Sequence, residues 1–385
     1  MIIEEISNYA DFSLLKEEWN TVLKKSNTDA IFFRHEWFDC WWKSHSENSK
    51  DDLKLFILLV KENKGEIIGI FPFLHCSTTY RNLNVKKISY LQSGLTPYSD
   101  FILIEDKKKI IDMVLVYLFR HHRWDIFTLN TFPTYTETYT IFIERLRFYK
   151  IKFGSQPSLN TPVIATTGKW DEFLSTRSLK FRKSLRNKIN RLKKQHEISI
   201  EKFSDPQQII SFALPHVFEI AKKSWKARGK HAFVDNKAFS SFYSMFTEIA
   251  APSGWINIWL LKYKDKYIAH EYHLKYNNKI YPIGADYDES YKKLSPGSML
   301  EYNIIKSLFE DNETESYCTC AQDYKYLRNW TESFHPHVNI DIFSQNLLPS
   351  MLYLIEYKLF PFLSNFKIMR ILKNIMVKQR FWLTK

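Results

Sequence analysis

The chain has 385 residues, a formal net charge of +13 and a charged fraction of 25%, which favours a two-domain globular protein over a disordered one. Its nine glycines argue against a glycine-rich nucleotide loop, and its four cysteines form no Cys-x-x-Cys pair, which argues against a disulfide framework or a metal site. The positive charge favours an anionic partner such as nucleic acid, a membrane surface or a phosphorylated cofactor.

The beginning of the chain, MIIEEISNYADF, has no basic region and no long apolar run. No stretch of 18 uncharged apolar residues follows. These features predict neither a signal peptide nor a membrane span. Together with the scattered cysteines they predict a cytoplasmic protein with reduced thiols.

The first half alternates between strand and helix patterns. Strands are predicted at 2–6, 53–60, 66–74, 85–91, 100–104, 124–130 and 151–155, and helices at 32–42, 108–121 and 138–149. Residues 155–170 contain Pro157, Pro162 and Gly168 and have the composition of a segment that crosses between domains. The pattern predicts an α/β or α+β unit that ends near residue 165.

The second half is predicted to begin with one helix over 170–194, with a buried stripe and an otherwise basic surface. A strand at 197–203 and helices at 205–226 and 236–250 follow. Strands at 255–263, 266–276 and 279–286 form an antiparallel meander, because turn residues separate them. A helix from Pro296, a strand at 316–320 and a helical turn at 323–330 complete the unit.

The segment YPIGADYDESYKKLSPGSML (281–300) reads as a strand, a polar turn and a helix start. Pro282 and Gly284 predict a bulge, with Tyr281, Ile283 and Ala285 on one side of the strand. Ser295 is predicted as the helix N-cap, Pro296 as its first residue, and Gly297 and Ser298 lie in the first turn. A helix start beside Lys292 and Lys293 is a natural anion site, although an ordinary strand–loop–helix corner has the same pattern.

The basic helix has two interpretations, a solvated face above a buried stripe or an anion-binding edge that includes Arg182 and Arg186. The last segment, 344–385, mixes apolar residues with a basic amphipathic end, KIMRILKNIMVKQRFWLTK. This helical tail could dock on the protein, on a partner or on a membrane surface, and docking on the protein is favoured. A membrane contact would place the protein at the inner face of the membrane.

Five segments of the second half carry a resemblance to a known family: FRKSLRNKINRLKK (181–194), SWKARGKHAF (224–233), IAHEYHL (268–274), YDESYKKLSPGSML (287–300) and DYKYLRNW (323–330). Together they resemble the CelD/BcsL-type acetyltransferases of the GNAT superfamily, which are similar to the FemABX peptidyltransferases. The resemblance is strong over 170–335 and weaker over 1–165. It implies two tandem GNAT-like domains, 1–165 and 166–343, each a mixed, largely antiparallel sheet flanked by helices, followed by the tail 344–385.

The resemblance implies an N-acyltransferase that uses acetyl-CoA or another acyl-CoA and no metal. In that fold the strand at 279–286 receives the pantetheine arm. The pyrophosphate is then held by Lys292, Ser295, Pro296, Gly297 and Ser298. The superfamily's Gln/Arg-x-x-Gly-x-Gly/Ala loop is absent, since only Gly297 remains of it. The glycine-rich approach to the family's Tyr-Lys pair is replaced by Cys-Ala-Gln-Asp, so Tyr324 and Tyr326 are both candidates for its tyrosine.

Acyl transfer to an amine requires a proton acceptor for the amine and a proton for the leaving thiolate. Glu271 and Asp286 are the main candidate bases, with Asp288, His270 and His273 as further candidates. Tyr324 or Tyr326 could protonate the thiolate. A structural role is the alternative for each of these residues. Arg182, Arg186 and Trp225 are the candidate acceptor-binding residues.

Three functional hypotheses follow. The first is transfer of an acyl group to an amine of a sugar, nucleotide-sugar or amino acid, a small-molecule or glycan-linked acceptor, in polysaccharide or cell-envelope synthesis. The second is a FemABX-like aminoacyl-tRNA-dependent transferase, the one case in which nucleic acid is an expected partner, although the chain has no room for the long coiled coil of that family. The third is a catalytically decayed protein that binds anions or a membrane surface.

Overall fold

A computed structural model describes residues 1–46, 52–91, 96–121, 123–193, 197–228, 237–320 and 323–363, with side chains omitted at 191–193, 228 and 363. The strands are β1 Ile2–Ile6, β2 Asp52–Lys61, β3 Ile67–Tyr80, β4 Leu83–Tyr90, β5 Ile102–Leu103, β6 Ile126–Pro133, β7 Lys152–Ala165, β8 Ile198–Phe203, β9 Ile256–Tyr263, β10 Lys266–Tyr276, β11 Lys279–Tyr287, β12 Ser316–Cys318 and β13 Phe334–Phe343.

The α-helices follow the same order along the chain. They are α1 Tyr9–Leu14, α2 Lys16–Lys25, α3 His35–His45, α4 Lys107–His121, α5 Glu137–Phe148, α6 Trp170–Ser175, α7 Leu179–Lys193, α8 Pro206–Gln208, α9 Leu214–Lys222, α10 Trp225–Arg228, α11 Lys237–Ala250, α12 Pro296–Asp311, α13 Leu347–Leu354 and α14 Phe360–Leu363. Shorter 3-10 turns lie at Ile31–Phe33, Glu289–Leu294 and Leu327–Asn329, and π-helical turns at Ile209–Ala213 and Ile355–Leu359.

All 13 strands belong to one sheet with the order β1-β2-β3-β4-β6-β13-β7-β12-β11-β10-β9-β8, and β5 pairs with β3 beside this path. The pattern of strand directions is the same when the sheet is followed inward from either edge. Strands β1 to β4 are antiparallel and β4 pairs in parallel with β6, while β8 to β11 are antiparallel and β11 pairs in parallel with β12. The predicted α/β fold with two similar halves is therefore confirmed.

The last strand of each half lies beside the other half. Strand β7 is the last strand of the first half and pairs with β12 of the second. Strand β13 is the last strand of the second half and pairs with β6 and β7 of the first. The sequence did not predict β13, and the boundaries at 165 and 343 stay a prediction. The boundary at 165 places β13 in the second unit, although β13 pairs with β6 and β7 of the first.

Two predictions near the junction are wrong. Residues 155–165 belong to β7 instead of a crossing segment; Pro157 lies opposite Val338, at a register shift, where a missing N–H is tolerated. The predicted helix over 170–194 is two helices, α6 and α7. The Thr176 hydroxyl donates to the carbonyl of Phe173 and the Ser178 hydroxyl accepts from the Phe181 N–H, so side chains end one helix and begin the next. Residues 194–196 lie outside the described part.

The halves share one hydrophobic core. Trp37 of α3 packs edge-on against Phe242 and Phe246 of α11, with ring centroids 4.8 and 4.9 Å apart, and Phe32 meets Tyr281 at 5.0 Å. A second cluster packs α12 and α7 against β9 and β10. The two faces of the second sheet half are thus covered by different helices, α9 and α11 on one side and α7 and α12 on the other.

Candidate active site

Strands β11 and β12 separate soon after they begin. Their register pairs Lys279 with Ser316 and Ile280 with Tyr317, and no further pair follows, although β11 continues to Tyr287. From Tyr281 onward, the edge of β11 that faces β12 therefore has no strand partner among the described residues. A gap opens in the sheet at this point, and a ligand in it would meet the backbone of β11, of which the Ala285 carbonyl already accepts a hydrogen bond from Nζ of Lys226.

The predicted bulge in β11 is present, and it changes which side chains share a face. Gly284 lies opposite Tyr272 and Pro282 lies opposite His273, so Ile283 is the extra residue. Opposed residues of an antiparallel pair share a face, and Tyr281 opposes Leu274 whereas Ala285 opposes Glu271. The prediction that Tyr281, Ile283 and Ala285 share one side is therefore wrong.

A cleft of about 700 Å³ occupies the gap, which is within the usual size of small-molecule sites. On one sheet face it is lined by α12 through Gly297, Ser298 and Glu301. On the other face it is lined by α10 and α11, including Trp225 and Tyr243. Pro97 and Leu159 of the first half also contribute. The cleft connects the two faces of the sheet at the junction of the halves.

The start of α12 forms one end of the cleft. Pro296 is buried in the first turn as predicted, but Ser295 has φ +56° and its side chain makes no capping hydrogen bond to the helix, which departs from the predicted N-cap interaction. Nζ of Lys188, on α7, donates to Oγ of Ser298 at 3.1 Å. The first N–H groups of any helix lack intrahelical acceptors, and a lysine beside them adds full positive charge.

Glu271 is buried in the centre of β10, on the α12 side of the sheet. Its Oε2 accepts a hydrogen bond from the Tyr317 hydroxyl at 2.9 Å and lies 2.9 Å from Nε2 of His273. Burial, followed by the charge of Glu271, raises the pKa of Tyr317 well above its usual range. The phenol therefore stays protonated and keeps donating to the carboxylate.

Glu301 on α12 is the second carboxyl group on this side. Its Oε2 accepts from the indole N–H of Trp330 at 2.9 Å. Burial and the nearby Glu271 carboxylate raise the pKa of Glu301 to about 8, while the Trp330 hydrogen bond and Lys188 act in the opposite direction. The folded environment therefore keeps a proton on Glu301 near neutral pH.

Asp286 lies on the opposite face, where it is buried and 3.1 Å from Nζ of Lys226. The same ammonium donates to the carbonyl of Ala285 at 2.6 Å. Burial raises the pKa of Asp286, and Lys226 partly offsets this effect. His270, opposite Asp286 in the register, has its pKa lowered to about 3 by burial and is neutral.

Two tyrosines stand at the mouth of the cleft. The rings of Tyr324 and Tyr326 stack with centroids 5.8 Å apart, and both side chains are about half exposed. Burial and then Glu301 and Glu271 raise the pKa of Tyr326, so it lies within electrostatic reach of the carboxyl pair. Trp225 is exposed at the rim.

The cleft brings together seven of the twelve predicted site residues: Glu271, Asp286, Tyr324, Tyr326, Gly297, Ser298 and Trp225. Lys292 is exposed, and Lys292, Ser295 and Pro296 lie beside the cleft without lining it. Arg182 and Arg186 line a separate cavity of about 300 Å³ with Tyr302. The functional roles of all twelve residues stay predictions.

The sequence interpretation missed Glu301, Lys188, Lys226 and Tyr317 as site residues. Glu301 had a usable signal, because it lies one turn after Gly297 and among the apolar positions Leu300, Ile304 and Ile305, where an acidic residue is unexpected. The roles of the other three depend on contacts between segments far apart in the chain, which spacing does not reveal.

Residues 179–328 match the family model described as an acetyltransferase (GNAT) domain. A search of curated proteins found no significant match. Among solved structures, FemX is similar over 92% of this chain and 100% of its own, with 11% identity and a TM-score of 0.57. L-PGS from Bacillus licheniformis is similar over 88% and 95%, with 10% identity and a TM-score of 0.52.

A third structure is the C-terminal domain of a putative lysylphosphatidylglycerol synthetase from Agrobacterium fabrum, similar over 90% of this chain and 96% of its own, with 9% identity and a TM-score of 0.51. At such identities the likenesses show the fold. The second half thus has the GNAT fold and matches the acetyltransferase (GNAT) domain model over 179–328, and its strand order recurs in the first half. The closer resemblance to CelD/BcsL-type enzymes stays a prediction.

Two further features concern metal ions and the membrane. Across the described ranges, no group of three or more His, Cys, Asp or Glu side chains has the arrangement of a metal site. Within the same residues, the helices are all too short or too polar to span a bilayer.

Proposed function

We propose that this protein is an acyl-CoA-dependent N-acyltransferase that acetylates, or otherwise acylates, an amino group of a sugar, nucleotide-sugar or amino-acid acceptor. The gap between β11 and β12 carries the proposal, because it opens directly onto the first turn of α12 and onto the Glu301 carboxyl group, whose pKa of about 8 suits proton exchange near neutral pH. A role in polysaccharide or cell-envelope synthesis is the biological setting that the family resemblance suggests.

The residues present fit an acyl-CoA. The β11 backbone at 282–284, which faces the gap, offers groups to the amides of a pantetheine arm. Gly297 and Ser298 in the first turn of α12, together with Lys188, suit the pyrophosphate, since a helix start and an ammonium both favour anions. Gly297 has no side chain in the way, and its nearest neighbour, Tyr287, would be 3.6 Å from an added Cβ.

The chemistry needs one proton removed and one supplied. Glu301, in its ionised form, accepts the proton of the acceptor ammonium, and its pKa of about 8 is matched to that task. The neutral amine attacks the thioester carbonyl, the new C–N bond forms, and the C–S bond breaks. The nitrogen then releases its second proton, which passes through solvent and replaces the proton that the tyrosine gives to the thiolate. Tyr326, which stays protonated, donates to the departing thiolate, with Tyr324 as the alternative donor. Tyr317 and His273 hold the Glu271 carboxyl group in place, and its charge acts on Glu301.

The acceptor side is assigned to the opposite sheet face. Asp286 and Lys226 there form a buried ion pair next to Trp225, and Tyr243 of α11 covers the cleft. An amine that crosses the gap from this side reaches the Glu301 carboxyl group on the α12 side, which favours an acceptor that carries an amino group. Trp225 offers an exposed aromatic surface of the kind that stacks on a sugar or a base.

Aminoacyl-tRNA remains the second candidate donor, because the fold is equally that of FemX. The observation that favours it is the basic helix α7, which exposes Lys180, Lys183 and Arg186 in addition to presenting Lys188 to α12. A tRNA donor would make binding fall steeply with salt, since many phosphates would be neutralised. A single CoA pyrophosphate would show a much shallower dependence.

Thermal unfolding in the presence of CoA, acetyl-CoA, longer acyl-CoAs and deacylated or aminoacylated tRNA tests the proposal. An excess of about 100 times the dissociation constant should stabilise the protein by about 2.7 kcal/mol. Gly297→Phe should abolish stabilisation by CoA while the unliganded midpoint changes little, whereas Gly297→Ala should keep most of it. Absence of both stabilisation and turnover with every acyl-CoA would rule out the proposed donor.

A further inference from the structure

Helix α7 meets α6 and α12 around a cavity that is separate from the candidate active site. Its volume is about 300 Å³, and Arg182 and Arg186 of α7 line it together with Asp171 and Ser175 of α6 and Tyr302 of α12. The two arginines are four residues apart, so they share one face of the helix. The volume lies at the lower end of the range of small-molecule sites, and it therefore suits a compact group better than a whole nucleotide.

The two guanidinium groups have no counterion in the described part of the chain. Neither Arg182 nor Arg186 forms an ion pair or a side-chain hydrogen bond with a described residue, and Nε of Arg182 is buried without an acceptor there. The basic end of the tail, 364–385, lies outside the described part and contains no Asp or Glu, so it supplies no acidic side chain to them. A buried N–H without an acceptor costs free energy, which an anion in the cavity would recover.

Asp171 is the acidic residue that lines the cavity, and it does not neutralise the arginines. Its side chain is exposed in the first turn of α6, where a carboxylate stabilises the start of the helix, and it forms no ion pair with a described residue. Two arginines against one carboxylate leave the lining with a net positive charge. The cavity therefore attracts anions on its α7 side.

We propose that this cavity binds a phosphate monoester group through Arg182 and Arg186. A guanidinium group presents its N–H donors in a planar fork that matches phosphate oxygens, and two such groups balance the charge of a dianion. Tyr302 and Asn190, which also line the cavity, offer a hydroxyl and an amide as further donors. A carboxylate ligand has two oxygens and one charge, and would use this set of donors less fully.

Two sources of such a phosphate share this chemistry, the 3′-phosphate of a bound CoA and the phosphate of an independent ligand. Tyr302 follows Ser298 by four residues of α12, or about 6 Å of helix axis, and Lys188, which donates to Ser298, is two residues from Arg186. The cavity is therefore adjacent to the place proposed for the pyrophosphate. The CoA source rests on the proposed acyl donor, whereas the phosphate site itself does not.

Thermal unfolding of the full chain in increasing inorganic phosphate, with chloride at matched ionic strength as the reference, tests the site. Wild type should be stabilised more by phosphate than by chloride. Arg186 is exposed, so Arg186→Gln should keep the midpoint without phosphate, but it should require at least tenfold more phosphate for the same stabilisation. Arg182→Lys, which keeps the charge and loses the fork, should also weaken the effect. Lys183→Gln, on the same helix and outside the cavity lining, should behave like wild type, and Lys188→Gln should keep most of the stabilisation.

Isothermal titration with CoA and with dephospho-CoA, which lacks the 3′-phosphate, distinguishes the two sources. If the 3′-phosphate occupies the cavity, wild type should bind CoA at least tenfold more tightly than dephospho-CoA, and Arg186→Gln should bind the two alike. Equal binding of both by wild type, with the phosphate effect still dependent on Arg186, would assign the site to an independent phosphate ester. Failure to bind either, with the phosphate effect intact, would reject the proposed acyl donor and support the phosphate site.

Two outcomes would overturn the proposal. One is a phosphate effect no greater than that of chloride in the wild type. The other is an equal loss of the effect in Arg186→Gln and Lys183→Gln, which would show that phosphate responds to the overall charge of α7 and not to the cavity.

Discussion

At the scale of single residues, Glu301 distinguishes this site from a plain structural corner. Its carboxyl group accepts the Trp330 indole N–H and lies near Glu271, and burial with that charge raises its pKa to about 8. A free glutamate in the unfolded chain has its pKa near 4.5. Because the folded state favours the protonated acid, ionisation of Glu301 opposes folding.

The substitution Glu301→Gln should therefore change how stability depends on pH. Between pH about 5 and about 8 the folded wild type retains a proton that the unfolded chain has lost, so its free energy of unfolding falls as pH rises, by up to about 1.4 kcal/mol per pH unit. The variant has no such proton and should gain stability relative to wild type over this range. Urea unfolding at a series of pH values measures the difference.

Glu332→Gln is the control for this experiment, because its side chain is exposed and it should leave the pH dependence unchanged. Parallel curves for Glu301→Gln and wild type would contradict the assignment of the proton to Glu301. If an acceptor is found, the same variant should lower kcat by about 100-fold or more, with the rise of activity toward alkaline pH removed.

The sequence predicts some of these residues and not others for a physical reason. Glu271, Asp286, Gly297 and Ser298 were predictable because they lie in one continuous strand–turn–helix stretch and its neighbouring strand. The pKa of Glu301 depends on burial and on Glu271 and Trp330, each about 30 residues away in the chain. Local spacing carries no information about such contacts.

At the scale of secondary-structure elements, helix α7 connects the basic surface to the cleft. Its apolar stripe of Phe181, Leu185 and Ile189 packs on the second core, which presents Lys188 to the start of α12. Arg182 and Arg186 lie on a different flank, in their own cavity. The basic residues predicted to form one anion-binding edge therefore lie in two places: Lys188 contacts Ser298 at the cleft, and Arg182 and Arg186 line a separate cavity.

Lys188→Gln should weaken CoA binding about tenfold, which corresponds to about 1.4 kcal/mol, since one charge beside the pyrophosphate position is removed. Lys188 also lowers the pKa of Glu301, so the variant should shift the alkaline rise of activity to higher pH. Isothermal titration with CoA and a competition with inorganic pyrophosphate measure the first effect.

Lys183→Gln is the matched control, since Lys183 is exposed on the same helix and carries the same charge. Equal weakening by both variants would mean that the helix acts through its overall charge, and the specific contact of Lys188 with Ser298 would lose its assigned role.

Elements with clear periodicity were predictable from the sequence, and those that depend on the partner half were not. The meander β9–β11 and the helix α12 lie within two residues of their predicted bounds. Strand β13 was missed, although Val338, Ile340 and Ile342 alternate with polar residues as in a half-buried strand. Its place between β6 and β7 follows from the exchange of final strands, which no local pattern encodes.

At the scale of the whole molecule, the two halves form one structural unit. The sheet is continuous, β7 and β13 pair along their length from Phe334–Pro162 to Phe343–Lys152, and the core around Trp37 includes Phe242 and Phe246. Independent domains would have separate cores and few contacts across their boundary. The cleft at this junction therefore depends on both halves, although the family model matches only the second.

We accordingly expect one cooperative unfolding transition for the whole chain. Tryptophan fluorescence and far-UV circular dichroism should give the same urea midpoint. Trp37→Ala, in the first half, should destabilise the protein by about 3–5 kcal/mol and move both curves together, because it removes a core side chain that touches the second half. Leu14→Ala, at an 83% exposed position, should move neither.

Separate expression of 1–165 should give an unfolded chain, since β13 would be missing between β6 and β7 and would leave both as open edges. Two resolved transitions, or a folded 1–165 fragment, would instead show that the halves are independent domains and that the boundary at 165 is a true one.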